Sequence, residues 1–149
     1  MMEIKAPNTF VLDHRQVVFL AGSIDMGAAE KWQDRVVEAL RDEDIVILNP
    51  RRDDWDSSWV QDISNDNFRE QVEWELDGLM EADTVIFYFS PGGPAPVTLL
   101  ELGYVVGQTR VVVCCPPGYW RRGNVQVLCA RHEIPMYDSL EELIDELKG

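Results

Sequence analysis

Five short runs of the chain, residues 17–21, 45–48, 84–89, 110–115 and 134–137, are apolar at nearly every position. A strand with one wet face alternates apolar and polar side chains, so runs without alternation belong to a parallel sheet covered on both faces. Helical stretches separate them. Residues 28–41 place Trp32, Val36, Ala39 and Leu40 on one face, and residues 68–80 do the same with Phe68, Val72, Leu76 and Leu79. Further helices are expected over 98–108 and 124–131. A last one follows Ser139, with Glu142 placed three residues on for a capping box. Strand–helix alternation implies right-handed crossovers. The expected fold is α/β, a doubly wound five-stranded parallel sheet in the flavodoxin-like order 2-1-3-4-5, with helices on both faces. Ligands of such sheets bind where the strand order reverses, here the loops at 22–27 and 90–97.

Length and charge narrow the class further. With 149 residues the chain suits one domain, 1–149, large enough to bury a core without disulfides. The formal net charge of −14 disfavours nucleic-acid polymers but leaves small nucleosides open. No run approaches the roughly 18 apolar residues of a membrane span, and residues 1–5 lack a signal-like apolar run. A cytoplasmic protein is expected. Cys114, Cys115 and Cys129 read as reduced, buried thiols. His14 and His132 are far apart and no CxxC pair occurs, so no zinc site is expected. The N-terminal dozen residues read as a lead-in arm. Residues 49–67, with Trp55 and Trp59 among aspartates, read as a long binding loop or lid.

Two carboxylates stand out. Glu101 begins the third helix at the expected switch point. In Thr98-Leu99-Leu100-Glu101 it reads ordinarily as the far end of a capping box. The functional alternative is a nucleophile kept ionised by the helix N-terminus. Glu75 shares a helix face with Gln71 and borders the apolar stripe. It reads either as a solvated helix carboxylate or as a half-buried acid with a raised pKa. The first loop, Ala21 to Gly27, has glycines that let backbone amides approach a ligand. It matches neither GxGxxG nor a P-loop, so no cofactor is expected. Asp25 in that loop reads equally as a sugar or base ligand and as a helix-start carboxylate. Arg51 and Arg52 are expected in weak surface pairs with Asp53, Asp54 or Asp56.

Together these residues resemble the nucleoside 2-deoxyribosyltransferase family, from about Val17 to Leu143. The resemblance rests on Ala21-Gly22-Ser23, on Trp74-Glu75-Leu76 through Glu81-Ala82-Asp83, and above all on Thr98-Leu99-Leu100-Glu101-Leu102-Gly103-Tyr104. Arg122-Gly123-Asn124-Val125 is similar to the family's segment that reaches a neighbouring subunit. The resemblance implies that Glu101 attacks the anomeric carbon and that Glu75 helps hold the base or sugar. Ser23, Asp25, Asn49, Asp53 and Ser90 are the further candidates for substrate binding. The resemblance also implies that Asn124 contacts the sugar's 5' end from a partner, in a dimer-based homo-oligomer such as a tetramer or hexamer. Well-known transferases have an aspartate where Ala95 stands and a tyrosine where Val18 stands, and Tyr88 is a candidate replacement for the latter.

The implied reaction exchanges the base of a 2'-deoxynucleoside donor for a purine or pyrimidine acceptor through a covalent deoxyribosyl–Glu101 intermediate, with Glu75 or Asp25 supplying the proton. Trp55 and Trp59 would exclude water or stack on the base. The nearest rival is a nucleoside 5'-monophosphate N-glycosidase with Ser90, Gly92 and Arg51 at the phosphate. A non-catalytic nucleotide-sensing module and an FMN protein are further alternatives.

Overall fold

The computed structural model describes residues 1–24 and 30–149. All five expected strands form, as β2 (Gln16–Gly22), β3 (Ile45–Asn49), β4 (Thr84–Tyr88), β5 (Arg110–Cys114) and the two-residue β6 (Met136–Tyr137). They pair in parallel in the expected order, and a further strand, β1 (Met2–Lys5), pairs with β3 at the sheet edge, giving β1-β3-β2-β4-β5-β6. The expected lead-in arm is therefore partly an edge strand. Four residues of alternating Met-Glu-Ile-Lys are too few to carry a period-2 signal, and charged side chains suit an edge that must not recruit other strands.

Helices cover both faces. On one face α1 (Trp32–Ala39) and α5 (Leu140–Lys148) pack on Val18, Leu20, Ile86 and Val112. On the other, α2 (Asp66–Glu81), α3 (Pro96–Val105) and α4 (Arg122–Arg131) cover Phe19, Phe87 and Val113. Ser139 caps α5 as expected, accepting from the Glu142 N–H at 3.2 Å, while Glu142 accepts from the Asp138 N–H rather than that of Ser139. The three cysteines are free and buried. Burial pushes the Cys114 thiol up to about 12, so it is inert as a nucleophile.

β2 and β4 lie side by side, and their crossovers leave toward opposite faces. This is the switch point, and Ser23 ties its two sides together. The Ser23 N–H donates to the Tyr88 carbonyl at 2.9 Å, and the Ser23 Oγ accepts from the Ser90 N–H at 2.8 Å. Gly22 is required at the crossing. A Cβ there would sit 2.5 Å from the Trp32 ring and 2.6 Å from the Tyr88 carbonyl.

α2 turns differently from its apolar pattern. Phe68, Val72 and Leu76 are only half-buried, and the buried residues are Gln71, Trp74, Gly78 and Leu79. The reason is packing. Gly78 lets the helix approach the Phe19 ring so closely that a Cβ would lie 2.7 Å from it. Trp74 wedges between Phe10 and Phe19 and donates its indole N–H to the Asn8 carbonyl at 2.8 Å. The inward face thus runs 71, 74, 75, 78, and Glu75 lies on it rather than at its border.

Candidate active site

Glu101 enters the core because α3 starts earlier than its sequence suggests. The helix begins at Pro96, where the fixed φ of proline suits a first helical position. Ala95 precedes it in the left-handed conformation at φ 42°, an arrangement that costs a non-glycine residue about 1 kcal/mol. The turn is held from outside. The Tyr119 hydroxyl and the Trp120 indole N–H both donate to the Pro94 carbonyl, at 2.7 and 2.9 Å. With this start Thr98 is not a cap. Thr98, Glu101, Leu102 and Val105 form the buried stripe of α3. The capping-box reading of Glu101 is therefore overturned. So is the expectation that the helix N-terminus keeps it ionised, because Glu101 lies in the second turn, beyond the reach of the end charges.

A carboxylate in a stripe of core positions is costly unless something offsets its lost hydration. Glu101 is 7% exposed. Glu75 comes toward it from α2, half-buried along its stem with its carboxyl desolvated. Burial is the main cause of the shift in both. It pushes Glu75 up to about 7, against the opposing effect of a hydrogen bond from Gln71. It pushes Glu101 well above the carboxylate range, and the charge of Glu75 adds to that shift. Two neighbouring carboxyls resist being ionised together, so one holds its proton more tightly while the other is an anion. The pair thus offers one acid and one anion in one buried place.

The remaining expected residues divide. Ser23 and Ser90 meet at the switch point, as described. Asp25 lies outside the described residues. Asn49 is buried at the end of β3, where its amide donates to Glu3 at 2.9 Å and accepts from the Arg51 N–H at 3.0 Å. Asp53 is exposed and pairs with Lys5 at 3.8 Å. Asn124 lies on α4, lining an open cavity of about 320 Å³ with Leu99, Leu102, Trp120, Arg121, Val125 and Leu128. Tyr88 does not take the place of the transferases' strand tyrosine in the described structure. Its hydroxyl bonds Glu30, and its ring meets Trp32 on the opposite face of the sheet from α2 and α3.

The arginines also depart from expectation. Arg51 is 8% exposed and reaches inward to the Glu30 carbonyl at 2.8 Å and the Gln33 side chain at 3.2 Å. Arg52 does pair with Asp54, but it also lies over the Trp59 ring at 5.0 Å and touches the Gln71 Oε1 at 3.5 Å. Gln71, which shares the helix face of Glu75, was not among the expected site residues yet bonds it. A polar side chain four residues before a candidate acid on one helix face was the available signal.

The fold is thus a doubly wound α/β sheet with a carboxyl pair on the helices that cover one face, and sheets of this class bind ligands at the switch point. The chain belongs to the nucleoside 2-deoxyribosyltransferase-like family, whose family model matches residues 15–119. No curated protein matches it. Among solved structures it resembles the CMP N-glycosidase BcmB of Clostridium botulinum. That match has 18% identity and a TM-score of 0.59, covering 89% of this chain and 98% of the other. It also resembles a conserved protein from Enterococcus faecalis V583, at 16% identity and a TM-score of 0.62, covering 90% and 98%. At these identities the likeness establishes the fold. Among the described residues, no helix is long and apolar enough to cross a membrane.

Proposed function

We propose that the chain is a nucleoside 2-deoxyribosyltransferase that exchanges the base of 2'-deoxynucleosides. The observation that carries the reading is the buried Glu75–Glu101 pair on α2 and α3. Because the charge of Glu75 raises the proton affinity of Glu101, the attack-ready form is the tautomer in which the proton has passed from Glu101 to Glu75, leaving the anion on Glu101. A Glu101 oxygen bonds to C1' as the C1'–N bond breaks, its electron pair leaves with the base, and Glu75 protonates the departing nitrogen. The transition state resembles an oxocarbenium ion, which the adjacent anion stabilises in a low-dielectric site. A second base then attacks C1', releases the Glu101 carboxylate and returns a proton to Glu75. Two inversions give overall retention, as in retaining glycosidases.

Asn124 acts across an interface in this reading. Val97, Leu100 and Tyr104 form an exposed apolar stripe on α3, and Val127 of α4 and Trp120, whose indole N–H donates to the Pro94 carbonyl just before α3, are exposed as well. Such a patch suits a second copy of the chain in a dimer-based oligomer. In this reading Ser23, Asn49, Asp53 and Ser90, at or beyond the ends of β2, β3 and β4, would contact the substrate.

The second reading is hydrolysis of a nucleoside 5'-monophosphate, favoured by the likeness to a CMP N-glycosidase. The deciding test is chromatography of thymidine or 2'-deoxyinosine incubated with adenine, beside the donor alone and beside a deoxynucleoside monophosphate. Formation of 2'-deoxyadenosine with little free sugar is expected. Free base released mainly from the monophosphate, regardless of acceptor, would replace the transferase with the hydrolase.

A further inference from the structure

An acid that gives its proton to a leaving base and takes one from the incoming base needs a proton affinity close to the working pH in both directions. Burial alone drives a carboxyl past that point. Among the described residues, Glu101 of α3 interacts electrostatically with Glu75, and Arg52 from the loop after β3 meets the amide of Gln71. The charge of Glu75 opposes ionisation of Glu101, and Gln71, one helical turn before Glu75, favours ionisation of Glu75.

Gln71 is itself held on both sides. It is 5% exposed. Its Nε2 donates to the Pro50 carbonyl at 2.9 Å, and its Oε1 faces Arg52 Nη1 at 3.5 Å. An amide with its oxygen toward a guanidinium and its NH2 toward a carbonyl has one orientation, and that orientation leaves an N–H for the Glu75 carboxylate. Arg52 is fixed in turn by two bonds to Asp54, at 3.0 and 3.1 Å, and by the Trp59 ring, which packs edge-on against Trp55. The tryptophan loop is thus connected through Arg52 and Gln71 to the carboxyl pair.

We infer that Gln71 is a positioning residue that orients the Glu75 carboxyl by an amide hydrogen bond, and that Arg52, clamped by Asp54 and Trp59, fixes the orientation of the Gln71 amide. The inference rests on the reading of Glu75 as the acid. It adds how that acid keeps a proton affinity usable in both half-reactions. It also gives the tryptophan loop a role distinct from contact with the base.

The test replaces Gln71→Met, which keeps length and loses the donor, and Arg52→Met, which frees the amide without touching it. Two readouts are taken on each. The first is the carboxyl titration of the ligand-free protein by 13C NMR, with Glu75→Gln and Glu101→Gln spectra for assignment. The second is the pH profile of kcat and KM. Gln71→Met is expected to raise the titration of the pair by roughly one pH unit. It should carry the alkaline limb of kcat upward and lower kcat near neutrality, with KM little changed. Arg52→Met should give a smaller shift in the same direction, and it serves alone if Gln71→Met does not fold. An unmoved titration in a folded variant overturns the inference. A titration that moves without any change in the rate profile upholds the hold of Gln71 on Glu75 and sinks the reading of Glu75 as the acid.

Discussion

Glu75 and Glu101 reach the same buried place from two different helices, α2 and α3, and the charge of the first raises the proton affinity of the second. Neither helix needs a carboxylate there for packing. Each position lies among residues that contact the sheet, where an apolar side chain would cost nothing in desolvation. That cost is the reason to read the pair as functional.

Removal of the nucleophile separates function from folding. Glu101→Ala is expected to lower turnover by at least about a thousandfold, the scale seen when a reacting group is deleted, while circular dichroism stays unchanged. Full activity in that variant would end the proposed mechanism.

The pair also sets a pH dependence of stability. Both carboxyls bind protons more tightly in the folded chain than in the unfolded one. Their contribution is complete below the ordinary value of 4.5 and is lost as the pH rises through about 7 for Glu75. Each proton released in that window costs up to about 1.4 kcal/mol per pH unit. Thermal melts of the ligand-free protein should therefore fall between about pH 5 and pH 8, and Glu75→Gln should flatten the fall. A variant more stable than the parent at the alkaline end, yet slower, is the expected mark of a site held against stability.

As the acid, Glu75 should matter most where the leaving base is hardest to expel. Glu75→Gln is expected to lower kcat by roughly a hundredfold to ten-thousandfold. The loss should shrink for a donor whose base leaves easily, compared by steady-state kinetics on two donors. An equal loss on both would assign Glu75 to binding.

Gly78 tests whether the approach of α2 matters to the site. Gly78→Ala places a methyl 2.7 Å from the Phe19 ring, with Leu48 at 3.3 Å. Overpacking of this kind costs about 1–3 kcal/mol, only partly offset by the better helix propensity of alanine. Melting should fall by roughly 3 to 8 °C. Activity should fall with it, because Glu75 lies one turn away on the same inward face.

The exposed stripe makes its own prediction. Leu100 is 72% exposed, and Leu100→Asp leaves the core untouched. Sedimentation should show a smaller species for the variant than for the parent, with activity reduced in proportion. A monomeric parent that is fully active would remove the cross-subunit role of Asn124.

The five apolar runs by themselves determined the layered sheet, its parallel pairing and the place where its order reverses. Burial on both faces leaves a composition signal that no tertiary detail can disguise. The sequence Ser139-Leu140-Glu141-Glu142 likewise determined a helix start, because a cap is a local hydrogen bond. The rest depended on contacts between distant segments. Four residues of β1 find their place only through pairing with β3. The rotation of α2 that turns Glu75 inward follows from the fit of Gly78 against Phe19, which lie 59 positions apart in the chain (78 − 19). The start of α3 at Pro96, which converts an apparent cap into a buried carboxyl, depends on the bonds from Tyr119 and Trp120 to Pro94. Local patterns record which faces are apolar. How far each helix turns about its own axis is decided by close packing, and that decided which carboxylates meet.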